Sequence, residues 1–287
     1  MEPVTSDRRR TVLVTGTTSG IGREAARQLA KLGAQVVMGV RDVERGNEIA
    51  RRIRNEGGIA EVLPIDLSSF ASVREAAARF AEAHPSLDVL VNNAGVALRQ
   101  REVSVDGHEL TWQTNFLGGY LLTRLLLPAL RRGTWPRVVN VSSEGHRTGR
   151  IDWDNLELSR NYGGFRAYSN TKLAQILFTR ELARREPGIS VNALHPGALA
   201  TRIWREVPLI PFRVLILSVL WLAGTGMPSA ARGAKPVVRL AWDPGLEGVT
   251  GRYFKRFRET APSKEAQDDA TAAQIWDVAA RQTGQAI

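Results

Sequence analysis

The chain has no cysteine among its 287 residues, which removes disulfides, thiolate zinc sites and cysteine nucleophiles from consideration. Its four histidines, at 84, 108, 146 and 195, fall at no ligand spacing, so no metal is expected and each imidazole reads as a surface or capping group. Long apolar runs are also lacking. The greasiest stretch, 207–223, is broken by Pro208, Pro211 and Arg213 and leaves roughly ten uninterrupted apolar residues, against about twenty for a spanning helix. The opening MEPVTSDRRR is polar and charged without an apolar centre, from which a cytoplasmic location, or one peripheral on a membrane, is expected. Aromatic residues are only 7% of the chain and are not interleaved with its arginines, so the net charge of +10 reads as solvated surface and no nucleic-acid partner is expected.

What is present is an apolar content of 43%, enough for one large core at this length. After a polar tail over 1–10, residues 11–287 read as a single domain in which strands and helices alternate in the manner of a doubly wound parallel α/β sheet. Strands are predicted at Thr11 to Thr15, Gln35 to Val40, Ala60 to Pro64, Val89 to Asn92, Val138 to Ser142 and Ser190 to Ala193, with a last short one near Tyr253, about seven in all. Helices are predicted from Ile21, Val43, Ser69, Glu109, Phe165 and Ser229, on both faces of the sheet, and Pro236 implies a late start or a kink in the last of these. That order puts a ligand crevice at the carboxyl ends of the strands, where Gly16, Arg41, Asp66, Asn92, Ser143 and Pro196 fall.

Two local patterns carry chemistry. Thr15-Gly16-Thr17-Thr18-Ser19-Gly20-Ile21-Gly22 follows the apolar run Thr11 to Val14 and precedes a helical pattern. Here Gly16 permits a tight turn, Gly20 lets the backbone approach a pyrophosphate, and Gly22 allows close helix packing at a positively polarised helix start. In the run AYSNTK, Tyr168 and Lys172 stand four apart on a predicted helix, so both rise from one face. An ammonium beside a phenol favours the phenolate, and lowering a tyrosine from near 10 by about three units takes roughly 4 kcal/mol.

These patterns, with Asn92-Asn93-Ala94-Gly95 after a strand, Asn115 in a helix, Ser142-Ser143 ending a strand and His195-Pro196-Gly197 after another, together resemble the short-chain dehydrogenase/reductase family. The likeness covers about residues 10 to 200. Gly251 to Phe254, the helix holding Ile275-Trp276, and the extended gap between Ser143 and Tyr168 with Asp152 to Leu156 resemble its retinol-dehydrogenase-like branch. The resemblance implies a Rossmann-type fold and a dinucleotide held by Gly16, Thr18, Ser19, Gly20, Ile21, Gly22, Arg41, Asp66, Leu67, Asn92, Ala94, Gly95, Tyr168, Lys172, Pro196, Gly197 and Thr201. It also implies that Tyr168 exchanges a proton with the substrate oxygen, that Lys172 holds the nicotinamide ribose and lowers the tyrosine pKa, and that Ser143 donates a hydrogen bond to that oxygen. Ser142 then faces the opposite way. Asn115 would kink its helix and anchor a water relaying protons to Lys172.

The second strand ends Gly39-Val40-Arg41-Asp42. Val40 stands where NAD-preferring members carry an acid and Arg41 can meet a phosphate, so NADP(H) is expected over NAD(H). Asp42 either caps the next helix or binds a ribose hydroxyl, and Asp66 has the same choice between cap and adenine contact. Within the segment 199–228, the apolar run reads as a lid over a greasy substrate, an interfacial helix beside Arg202, Arg205 and Arg213, or an oligomer contact. The expected activity is interconversion of a lipophilic alcohol with its aldehyde or ketone. A ketoreductase on a polar or carrier-bound substrate and a non-catalytic NADP sensor are the alternatives. Relatives often pair through the helices bearing Asn115 and Tyr168, so a homodimer is expected by analogy, although the apolar faces of Leu117 to Leu130 and Ala174 to Leu182 are equally suited to packing on the sheet.

Overall fold

Strand β1 (Thr11–Thr15) is buried at all five positions, as a strand covered on both faces must be. Its side chains alternate between two cores: Val12 and Val14 point to one and Leu13 to the other. The computed structural model describes residues 9–197 and 229–286. There β1 is joined by β2 (Gln35–Val40), β3 (Ile59–Pro64), β4 (Val89–Asn92), β5 (Arg137–Val141), β6 (Ser190–His195), β7 (Tyr253–Lys255) and β8 (Arg258–Glu259) in the order β3-β2-β1-β4-β5-β6-β7-β8. All neighbours are parallel except β7 and β8.

Helices α1 (Gly20–Lys31), α2 (Val43–Asn55) and α7 (Ala230–Trp242) cover one face. The other face is covered by α3 (Phe70–Ala83), α5 (Gly118–Arg131), α6 (Gly164–Arg185) and α8 (Asp269–Thr283). Several starts are marked by side-chain caps, with Asp42, Ser69, Glu109, Ser229 and Asp268 each accepting a backbone N–H of the first turn. Between the short α4 (Leu110–Trp112) and α5 lies a π turn, Gln113–Leu117. The doubly wound order therefore holds, and the order in which strands are added reverses between β1 and β4, opening the crevice at their carboxyl ends.

Four features depart from the sequence reading. The eighth strand is not foreseen, because two residues after a turn at Arg256, whose φ is 57°, carry no periodicity. Pro236 neither delays α7 nor ends it: the helix begins at Ala230 behind its Ser229 cap, and the proline removes only its own N–H from the ladder. His84 and His146 are not surface groups but buried, at 7% and 0% exposure. The apolar faces of α5 and α6 lie inside the protomer, where Leu121, Leu126, Leu177 and Leu182 share one core with Ile275 and Trp276 of α8. Among the described residues no helix is long and apolar enough to cross a membrane. Thr201 and the apolar run 207–223 lie outside the described residues.

Candidate functional site

The glycine turn closes onto the loop after β4. Gly16 has φ +71° and a Cβ there would sit 2.8 Å from the Ala94 Cα, while one on Gly22 would sit 2.4 Å from the Gly16 carbonyl oxygen. Neither position admits a side chain. Gly20, at φ +58°, has no heavy atom within 4 Å of a notional Cβ, so this part of the turn faces open space. Asn93 ties the two loops together. Its Nδ2 donates to the Thr15 carbonyl at 2.8 Å, and its backbone N–H and that of Ala94 donate to Thr15 Oγ1 at 3.1 and 3.2 Å. Ser19 makes no side-chain cap to α1, which leaves the first amides of that helix, including that of Ile21, without a side-chain acceptor among the described residues. Thr17, fully buried beside Thr18, keeps an Oγ1 with no partner among the described residues.

Other expected binding positions divide into those at the crevice and those turned into the fold. Asp42 caps α2, accepting from Arg45 N–H at 3.0 Å, while Arg41 beside it is exposed. Asp66 caps its own turn, its Oδ1 accepting from the Ser68 N–H at 2.9 Å and the Ser68 hydroxyl at 2.6 Å, and Leu67 is a core residue. The Asn92 carboxamide is turned away from the crevice, donating to Thr123 Oγ1 at 3.0 Å and Asn140 Oδ1 at 2.9 Å. Gly95 instead closes over the reaction centre: a Cβ there would lie 3.3 Å from Asn115 Oδ1 and 3.7 Å from Lys172 Nζ. Pro196 and Gly197 follow β6, with Gly197 at φ +108° beneath the Arg256 guanidinium.

The reaction centre is built by β5, α6 and the π turn. Ser143 follows β5, accepts from the Gly145 N–H at 3.2 Å, and its side chain hydrogen-bonds Tyr168. Ser142 faces the other way, donating to the Lys172 carbonyl at 2.8 Å. One helical turn joins Tyr168 and Lys172, with Nζ 5.4 Å from the centre of the tyrosine ring. Burial dominates both groups. It pushes the Tyr168 phenol up to about 12, against the Ser143 hydrogen bond, and the Lys172 ammonium down to about 7. Burial thus opposes the charged form of both groups, the phenolate as much as the ammonium.

Asn115 sits in the π turn, so the helical irregularity expected there is an extra-wide turn. Its Oδ1 accepts from the Val96 N–H at 2.7 Å and its Nδ2 donates to the Val96 carbonyl at 2.8 Å, clamping the loop that carries Gly95. A side chain also joins Asn115 to Lys172. Gln175 Nε2 donates to the Asn115 carbonyl at 2.7 Å, and Lys172 Nζ donates to Gln175 Oε1 at 3.0 Å and to the Val141 carbonyl at 2.9 Å.

Sequence reasoning missed Gln175, and also His146. The Ser263 N–H donates to His146 Nε2 at 3.1 Å, so Nδ1 carries the proton and donates to the Ser143 carbonyl at 2.7 Å. Burial lowers the pKa of His146, which keeps this neutral tautomer. The spacing of Gln175 from Lys172 signals a shared helix face, but nothing local distinguishes it from a core amide.

A model of the short-chain dehydrogenase family matches residues 10–209. Retinol dehydrogenase 14 of Mus musculus is 40% identical over 285 residues, covering 94% of this chain and 84% of its own length. Retinol dehydrogenase 13 of Homo sapiens is 38% identical, over 96% of this chain and 85% of its own. Among solved structures, an uncharacterised protein from Mycobacterium Paratuberculosis superposes with a TM-score of 0.78 at 34% identity, over 98% of this chain and 95% of that one. The Pseudomonas aeruginosa RhlG/NADP active-site complex superposes at 0.70 and 29% identity, over 89% and 97%. With Ser143 meeting Tyr168 one turn from Lys172, and this likeness running nearly the length of the chain, the protein belongs to the short-chain dehydrogenase/reductase family, in its retinol-dehydrogenase-like branch, and is an oxidoreductase of alcohol and carbonyl groups.

Proposed function

We propose that the protein interconverts a lipophilic alcohol with its aldehyde or ketone, using NADP(H). The observation that carries the reading is the grouping of Ser143 beside Tyr168 with Lys172 one turn on, its Nζ 5.4 Å from the centre of the tyrosine ring, which places two hydroxyls where one substrate oxygen can meet both. The crevice fits a dinucleotide: beside the open Gly20, the uncapped start of α1 offers backbone donors to a pyrophosphate. A bound nicotinamide supplies or accepts the hydride, and the protein supplies everything else.

Arg41, exposed at the end of β2 with no hydrogen bond or ion pair among the described residues, is the group that would take a ribose phosphate, since Asp42 is committed to its helix cap. Tyr168, held as a phenol, donates its proton to a carbonyl oxygen as negative charge grows there, and Ser143 stabilises the same charge with a hydrogen bond. Lys172 is poised against the floor of the crevice to bind ribose hydroxyls. The retinol dehydrogenases it resembles, and the apolar composition of 207–223, support a greasy substrate, drawn from or beside a membrane surface. Pairing of protomers stays within the proposal and is tested by elution volume.

The test follows NADPH absorbance with purified protein against lipophilic aldehydes and ketones, with Tyr168→Phe and NADH in parallel. Consumption abolished by the variant and weaker with NADH is expected. Tight NADPH binding without turnover of any lipophilic or carrier-bound carbonyl would instead identify a sensor.

A further inference from the structure

Gln175 is 4% exposed, lies one turn beyond Lys172 on α6, and touches two groups of the reaction centre at once. Its Oε1 accepts from Lys172 Nζ at 3.0 Å while its Nε2 donates to the main-chain carbonyl of Asn115 at 2.7 Å. The orientation is dictated by chemistry. Turned over, the amide would set N–H groups against an ammonium and an oxygen against a carbonyl oxygen, losing both contacts. We propose that Gln175 is a positioning residue, a fixed strut that holds the Lys172 ammonium in register with the Asn115 turn and beneath the ring of Tyr168. The inference rests on the functional reading above for the role of Lys172.

A carboxamide does not take up or release protons in the neutral range. The strut therefore accepts a hydrogen bond from Lys172 without taking its proton, and the basicity of the lysine depends on the one acceptor oxygen that Gln175 provides besides Val141. The surroundings make that dependence readable. Facing Lys172 are Tyr168 from α6 itself, the Val141 carbonyl from β5, Asn115 from the π turn and Gly95 from the loop after β4. Among the described residues no carboxylate and no second cation perturbs it, and burial is the sole cause of its lowered pKa.

The experiment compares wild type with Gln175→Met, which keeps the volume but loses the acceptor, and Gln175→Glu, which keeps the shape and adds charge. Two profiles are measured: urea-denaturation stability against pH, and kcat/KM against pH with NADPH and the best carbonyl. Stability should rise with pH from the folded pKa of Lys172 upward, so the lower edge of that window reports the lysine without any turnover. The edge is expected to move down by about one pH unit in the methionine variant and up by about one unit in the glutamate variant, and the kcat/KM limb to move with it. A residue that merely fills space would lower both activities and leave the profiles where they are, and that result, or displacement of both variants in one direction, overturns the proposal. If the methionine variant does not fold, the glutamate variant alone decides it. Absence of carbonyl reduction in the wild type would sink the functional reading, whereas the stability profiles still judge Gln175.

Discussion

Lys172 Nζ lies 5.4 Å from the centre of the Tyr168 ring, yet it donates away from the phenol, to the Val141 carbonyl and to Gln175. The cation supports the tyrosine from below. In the proposed reaction Tyr168 would be the proton donor, with Ser143 as its partner, and Lys172 would serve chiefly as an anchor.

Removing the phenol oxygen alone should separate chemistry from folding. Tyr168→Phe is expected to lower kcat/KM by about a thousandfold, within the usual range for a general acid. Its melting temperature and its NADPH affinity, read by protein fluorescence, should stay close to wild type.

The buried lysine makes stability depend on pH with a definite sign. Its pKa is about 7 in the folded protein against an ordinary 10.5, so between those values the unfolded chain binds the proton that the folded chain has lost. Stability contributed by Lys172 is present above 10.5 and is lost as pH falls through about 7. Urea denaturation at about pH 7.5 and about pH 9.5 should show a gain of about 2 kcal/mol for wild type, and that gain should vanish in Lys172→Met.

Two glycines of one turn should fail differently. In Gly20→Ala the added methyl meets nothing, so the protein should fold with about 1 kcal/mol of backbone strain and bind NADPH at least tenfold more weakly. Gly22→Ala places a methyl 2.4 Å from the Gly16 carbonyl oxygen, and loss of soluble folded protein is the expected result. Calorimetry with a fluorescence titration reads both.

Cofactor choice should rest on Arg41. Arg41→Ala is expected to raise the KM for NADPH by about ten- to a hundredfold, the value of one or two charge-assisted hydrogen bonds, while the KM for NADH changes by less than about twofold. Equal losses with both cofactors would remove the phosphate assignment.

The sequence made much of this site legible because its strongest signals are local. The strands β1, β2 and β4 are readable to the residue, since a buried parallel strand is a continuous apolar run between turn residues. Gly16, Gly20 and Gly22 announce their duties by spacing, and Tyr168 with Lys172 by helical register. Gln175 and His146 are invisible there because their importance lies in partners 60 and 117 residues away. The burial of the Tyr168–Lys172 pair escapes the sequence for a related reason: adjacency is written in it, but the dryness that raises one pKa and lowers the other is a property of the assembled core.

The π turn at Gln113–Leu117 sets the phase of one helix against the other parts of the site. It is equivalent to a single residue inserted into an α-helix and absorbed locally, so excising one residue there would restore ordinary winding and re-phase the side chains within the turn while the flanking turns keep theirs. Asn115 would then swing off Val96, and the Gly95 loop would lose its clamp while the core leucines of α5 kept theirs. A frame-preserving deletion of one codon would thus leave a well-packed protein with a dismantled reaction centre, and crystallography of such a variant would show the active site and the core to be separately encoded along one helix.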